Sequence, residues 1–256
     1  MFPPTESPDE PGPPRAGAAA APGAGQAAAP DGAAPGRQSV HTALSSLSPS
    51  LLQDLQRFEP GGPQRELLEV LAAGIRHTQP LAIDLALQQR LLTLSLFAQV
   101  RRVHCSVPLA ALMAIDLGAL QVLQVRPATR RPALDVANAT GLAAPEHYGS
   151  VDPLLWAVAL RGARSDLLPE LAGKAAYRVA PSLDLTGLDV PAAMASCIHR
   201  LRRQPSNLAD MASWHNIGKQ RAMRLLNALY LQSGLIVSRS HPAATDEGWT
   251  GYANAV

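Results

Sequence analysis

Residues 190–239, VPAAMASCIHRLRRQPSNLADMASWHNIGKQRAMRLLNALYLQSGLIVSR, decide how the fold is read. After Pro191, the spacing of Met194, Ile198 and Leu201 predicts a helix to about Arg203. Arg200, Arg202 and Arg203 lie at its C-terminal end, where the helix dipole favours cations. Ser206 or Asn207 can cap a second short helix, Leu208 to about Trp214. His215-Asn216-Ile217-Gly218 then supplies a tight corner, with Trp214 expected in the core and His215 in the turn. Lys219 opens a third helix that buries Met223, Leu226, Leu229 and Tyr230, and Ser233-Gly234 ends it. Leu235–Val237 reads as a strand, with Trp249–Tyr252 expected to return as its partner around a tip at 241–248.

Charge singles out the same stretch. Seven cations stand against Asp210 alone, a net of plus six, although the whole chain carries only +2. Residues 40–189 hold 13 basic and 13 acidic side chains and cancel, and residues 1–39 are slightly acidic. Such a concentration attracts phosphates or an acidic protein surface whatever the total charge.

The order of helices, the turn at Ile217-Gly218 and the run Leu229-Tyr230-Leu231-Gln232-Ser233-Gly234-Leu235-Ile236 resemble the winged-helix (helix-turn-helix) superfamily. That superfamily includes both DNA readers and protein-interaction modules. For a DNA reader, the resemblance implies that Lys219, Gln220, Arg221 and Arg224 face the major groove, with Arg200, Arg202, Arg203 and Arg239 on phosphates. The upstream string from Asp152-Pro153-Leu154-Leu155-Trp156 through Leu167-Leu168-Pro169-Glu170-Leu171 to Tyr177-Arg178-Val179 also looks like bacterial proteins in which a small sheet precedes such a domain.

Elsewhere the expected organisation is α+β. In residues 1–39, Ala, Pro and Gly supply 26 of 39 positions, too little apolar bulk to offset ordering entropy, so a disordered tail is expected. A small domain over 40–126 opens with two helices. The first starts at Ser48-Pro49, carries Leu51, Leu52, Leu55 and Phe58, and ends at Pro60-Gly61-Gly62. The second runs from Pro63 to His77 with Leu67, Leu68, Leu71 and Ile75 as its stripe.

Leu81, Ile83, Leu85 and Leu87, then Leu92, Leu94 and Leu96, alternate as in two half-buried strands joined at Gln88-Gln89. A helix is the rival reading of Leu81–Val103, because Leu, Ala and Gln are good helix formers. Val100–Val107 adds a third strand, Pro108–Ile115 a short helix and Ala119–Val125 a strand stopped by Pro127. Residues 127–150 are expected to be a linker. A connecting unit over 151–189 has a helix capped by Asp152 and ending near Gly162, a turn at Leu167–Leu171 and a strand over Ala175–Ala180. The winged-helix domain then takes 190–256.

Catalytic and ligand motifs are weak. His104-Cys105 and Cys197-Ile198-His199 lack the paired spacings of a structural zinc site, so no metal is expected. Arg126-Pro127-Ala128-Thr129-Arg130 matches the RxxxR element of PilZ-type cyclic di-GMP receptors, but Asn138-Ala139-Thr140 with Ala143 lacks the glycine of the companion element. No phosphate loop or nucleophile elbow appears, so no catalytic residue and no cofactor is expected.

Two cysteines, no leader-like N-terminus and apolar runs far shorter than the roughly 20 residues of a bilayer span lead to a cytoplasmic expectation without membrane contact. The reading is a non-catalytic bacterial regulatory protein that binds duplex DNA, in the manner of transcription regulation. Its alternative is a signalling or motility adaptor that uses the winged helix and the α+β module for protein–protein interaction.

Overall fold

The computed structural model describes residues 47–57, 66–128, 145–215 and 217–246. The expected tail, Phe58, Pro60-Gly61-Gly62, Arg130, Asn138–Thr140 and Trp249–Tyr252 lie outside the described residues. The fold is α+β, with a five-stranded antiparallel sheet, a separate two-stranded sheet and seven helices among the described residues.

Helix α1 (Pro49–Arg57) starts as expected, with the Ser48 hydroxyl accepting from the Leu51 N–H at 3.3 Å. Its Leu51 and Leu55 bury against α2 (Leu67–Arg76), whose apolar stripe lies on the sheet. The approach is close at Gly74, where an added Cβ would sit 2.7 Å from Leu96 Cδ2 and 2.9 Å from Leu81 Cδ1.

Strands β1 (Leu81–Leu87) and β2 (Arg90–Phe97) form the predicted hairpin. Leu81, Ile83 and Leu85 oppose Leu96, Leu94 and Leu92, all buried. This one-sided set of cross-strand pairs is why strands win here over a helix. The two-residue turn works without glycine because Gln88 takes the left-handed conformation, with φ 54. Strand β3 (Arg102–Cys105), α3 (Leu109–Ala114) and β4 (Gln121–Pro127) follow. A bulge opposite Asp84/Leu85 leaves Leu123 unpaired and 56% exposed.

The stretch 127–150, expected to lack regular structure, departs from that reading at both ends. Ala128 N–H donates to the Pro80 carbonyl at 3.0 Å, and Tyr148–Ser150 form β5, completing the order β4-β1-β2-β3-β5. Three residues are too few to show a period of two, so the strand is set by its ladder to β3 rather than by local pattern.

Helix α4 (Asp152–Arg161) is flanked at its start by Val151, not capped by Asp152 as expected. The Asp152 carboxylate instead receives Arg101 and the Ser150 hydroxyl. Strand β6 (Ala176–Val179), α5 (Ala192–Arg203), α6 (Leu208–Ser213), α7 (Gly218–Leu231) and β7 (Leu235–Ser238) complete the described chain. Asn207 caps α6 by accepting from the Asp210 N–H. At the end of α7, Ser233 and Gly234 donate to the Tyr230 and Leu229 carbonyls, a Schellman motif with Ser233 in the left-handed position (φ 55). Gly234 stands one residue later because a Cβ there would meet Leu183 at 2.4 Å.

The α4–α7 contact joins the two halves. Arg101 Nη2 donates to the Leu231 carbonyl and Gln232 Nε2 to the Asp152 carbonyl. Asn227, fully buried in α7, accepts from the Leu168 N–H at 2.9 Å and donates to the Asp166 carbonyl at 2.8 Å. Arg164 pairs with Glu66 and Glu69 of the α2 region. Burial pushes the Glu69 carboxyl up to about 7, with Arg164 pulling the other way.

Replacing Asn227 by Ala leaves the Leu168 N–H without its partner and is expected to cost about 1–3 kcal/mol in urea unfolding. Because Glu69 holds its proton more tightly folded than unfolded, its contribution is full below about 4.5 and is lost as pH rises toward about 7. The melting temperature of Glu69→Gln is therefore expected to fall less than that of the unmutated chain over that window.

Candidate docking surface on the C-terminal helices

The eight basic-segment residues singled out by sequence fall into two groups. Lys219, Gln220 and Arg221 are exposed on the first turn of α7. From Ala222 onward the helix is enclosed: Ala222, Met223, Leu225, Leu226, Asn227, Ala228, Leu229 and Leu231 are buried, and Arg224 and Tyr230 half-buried. Positions 220, 224, 227 and 231 make one helical stripe, and only its first member is open. Arg224 points at the end of α4, where its Nη1 donates to the Leu160 carbonyl at 2.5 Å. A guanidinium at a helix C-terminus is held by the free carbonyls and the dipole there.

Arg239 is likewise engaged internally. Its guanidinium donates to the carbonyls of Glu170, Ala172 and Lys174, bracing the chain after β7 against the loop before β6. The following residues continue across the body. Asn207 Nδ2 donates to the Ala243 carbonyl, and Ala175 N–H donates to the Thr245 carbonyl. The described part of the expected tip is thus laid on the fold. The ladder partner of β7 among the described residues is β6, from before α5. Tyr177 of β6 also bridges Ser206, between α5 and α6, with N–H···O distances of 2.8 and 3.0 Å.

On α5, Met194, Cys197, Ile198 and Leu201 face inward and Arg200, Arg202 and Arg203 outward. Arg202 Nη2 donates to the Leu183 carbonyl at 2.8 Å. Arg200 lies over the Trp214 ring, its Cζ 4.4 Å from the centroid. Trp214 is half-buried rather than a full core residue, because α6 ends in an extended residue there (φ −68, ψ 145). Gly218 (φ 65) then turns the chain into α7. Between the exposed edge of α5 and this corner lies a concavity of about 440 Å³, lined by Ala192, Ser196, Cys197, Arg200, Trp214 and His215. A second, of about 530 Å³, adjoins it across Arg200 and Trp214 toward Gln204, Asp210 and Ser213.

The other candidates separate in space. On β3, Cys105 is buried, whereas the neighbouring His104 is half-buried and its ring lies tilted against Tyr148 with centroids 4.4 Å apart. Burial, with His147 nearby, lowers the His104 pKa. In α5, Cys197 is buried and His199 exposed. Burial raises both thiols above their ordinary range, which lowers their thiolate fraction. Arg126 forks onto Asp84 at 3.2 and 3.3 Å. Among the described residues no group of three His, Cys, Asp or Glu side chains is placed to hold a metal, and no helix is long and apolar enough to cross a membrane.

Three residues that organise this region had not been singled out for a role. Asn227 could have been found as a polar residue inside the apolar run Ala222–Leu231, a pattern that signals a buried hydrogen bond. Arg101 and Arg164 carry no such local signal. No protein-family model, curated protein or solved structure matches the chain.

Arg224→Ala is expected to lower stability by about 1–3 kcal/mol, since it removes a half-buried charged hydrogen bond. Lys219→Ala is expected to change it by less than about 0.5 kcal/mol. Urea titration of the two variants measures the contrast.

Proposed function

We propose that the chain is a non-catalytic binding protein whose helices α5, α6 and α7 with β7 form a variant winged helix that docks a protein partner, while the α+β half serves as its rigid platform. The observation that carries this reading is the enclosure of α7 beyond Ala222. A helix that reads the major groove presents base-contacting side chains from its N-terminal residues and, where the contact continues, along an outward stripe. Here that stripe is occupied by Arg224 on the Leu160 carbonyl and by Asn227 on residues 166–168. Arg239 and the described residues beyond it, as far as Thr245, are similarly engaged, which takes those residues away from groove contact. In this reading β6 fills the seat beside β7 that a returning wing strand would take.

Duplex DNA remains a second reading because Lys219, Gln220 and Arg221 stay exposed and Arg203 points to solvent. Such contacts would be to phosphates, giving sequence-independent binding that weakens steeply with salt. Polarisation measurements with duplexes of different sequence separate the two. The docking reading expects equal, weak binding that vanishes by about 200 mM salt, together with one protein retained at fixed stoichiometry by the immobilised chain from an extract of its source cells. Sequence-selective binding of one duplex, abolished by Lys219→Ala, Gln220→Ala and Arg221→Ala together, would sink it.

A further inference from the structure

Cations, an aromatic ring and a concavity coincide between the C-terminal half of α5 and the α6–α7 corner. Resting on the docking function above and adding its site, we propose that this groove binds an extended acidic segment of the partner protein. Carboxylates of that segment would engage Arg200 in the groove and Arg203 one helical turn beyond its lining, and an apolar side chain would lie against Trp214.

Charge balance within the fold leaves cations unmatched at this place, as it also does among the described residues at Arg90, Arg102 and Arg178, and here the cations meet a ring and a concavity. Arg76, Arg101, Arg126 and Arg164 each meet a carboxylate of the same chain. Among the described residues no carboxylate lies within ion-pairing distance of Arg200 or Arg203, although both are exposed. They stand one helical turn apart on one face of α5, with exposed His199 beside Arg200 in sequence and exposed His215 lining the same concavity as Arg200.

The geometry adds direction. Stacking on Trp214 fixes the Arg200 guanidinium while leaving its in-plane N–H groups free to fork onto a carboxylate. Holding the fork in advance lowers the ordering cost of binding. Ala192, Ala193 and Ser196 keep the α5 wall low, so a peptide can lie close to the helix. A concavity of about 440 Å³ accepts a few side chains, whereas a duplex offers its phosphates on a convex cylinder. The partner chemistry is therefore a peptide in which acidic and apolar residues alternate.

The test uses the full chain and a short fluorescein-labelled peptide of alternating Glu and Leu, followed by polarisation at low salt. Arg200→Glu and Arg203→Glu are each expected to weaken binding about tenfold or more. Arg90→Glu, a charge-matched change at the exposed start of β2, is expected to leave it within about twofold. Melting curves check that each variant is folded, and the surface change Arg203→Glu stands in if Arg200→Glu unfolds. Absence of peptide binding, an equal loss with Arg90→Glu, or a mixed-sequence duplex that binds tighter through the same arginines overturns the proposal. If the immobilised Arg200→Glu/Arg203→Glu chain still retains the stoichiometric partner, the groove is wrong and the docking function stands. If the unmutated chain retains none, both fall.

Discussion

Helix α7 is enclosed from Ala222 to Leu231 by α4 on one side and α6 on the other, and the remainder of the molecule is arranged around that burial. Two kinds of force hold it. Apolar burial of Leu225, Leu226, Leu229 and Leu231 supplies most of the stabilisation and is indifferent to direction. Polar contacts then fix which surfaces meet, through Asn227 on residues 166–168, Arg224 on the Leu160 carbonyl and Arg101 on both Asp152 and the Leu231 carbonyl. Asn227, fully buried, would be costly to leave without its partners, so sliding α4 and the residues after it over α7 is penalised. The sheet and the C-terminal helices are thereby coupled through α4, with Arg101 placed in the turn between β2 and β3, just before β3, and Asp152 at the start of the helix.

This burial separates the basic residues by use. Arg224, half-buried, and Arg239, exposed, are both engaged by the chain itself, as donors to helix-end and loop carbonyls. Arg200 and Arg203, together with Lys219, remain outside. A local excess of six positive charges therefore overstates what is offered to a partner, and the part that is offered lies along α5 and the first turn of α7. The two-stranded sheet fits the same account. With β6 beside β7 and Ser206 bridging β6, the chain after β7 crosses to Asn207 and Ala175.

Much of the architecture was legible because it is local. The alternation of Leu81–Leu87 and Leu92–Leu96, the Ser48-Pro49 start and the stripes of α5 and α7 are patterns of period two or 3.6 that neighbouring residues carry themselves. What escaped is non-local. Strand β5 is defined by its ladder to β3, and the pairing of β6 with β7 joins segments separated by three helices. The same holds at the candidate surface. Exposed Lys219 and Arg221 could be read from helical phase, but the cover over Arg224 comes from α4, more than sixty residues earlier, and the stacking of Arg200 on Trp214 depends on how α6 ends.

Hydroxyl-radical footprinting of the native chain tests the enclosure of α7 most directly. The account predicts that Met223, Leu225, Leu226 and Leu229 stay unmodified until the protein unfolds, while half-exposed Trp214 reacts in the native state. Modification of Met223 and Leu225 at rates matching Trp214 under native conditions would contradict it, because α7 would then present an open face of the kind a groove-reading helix needs.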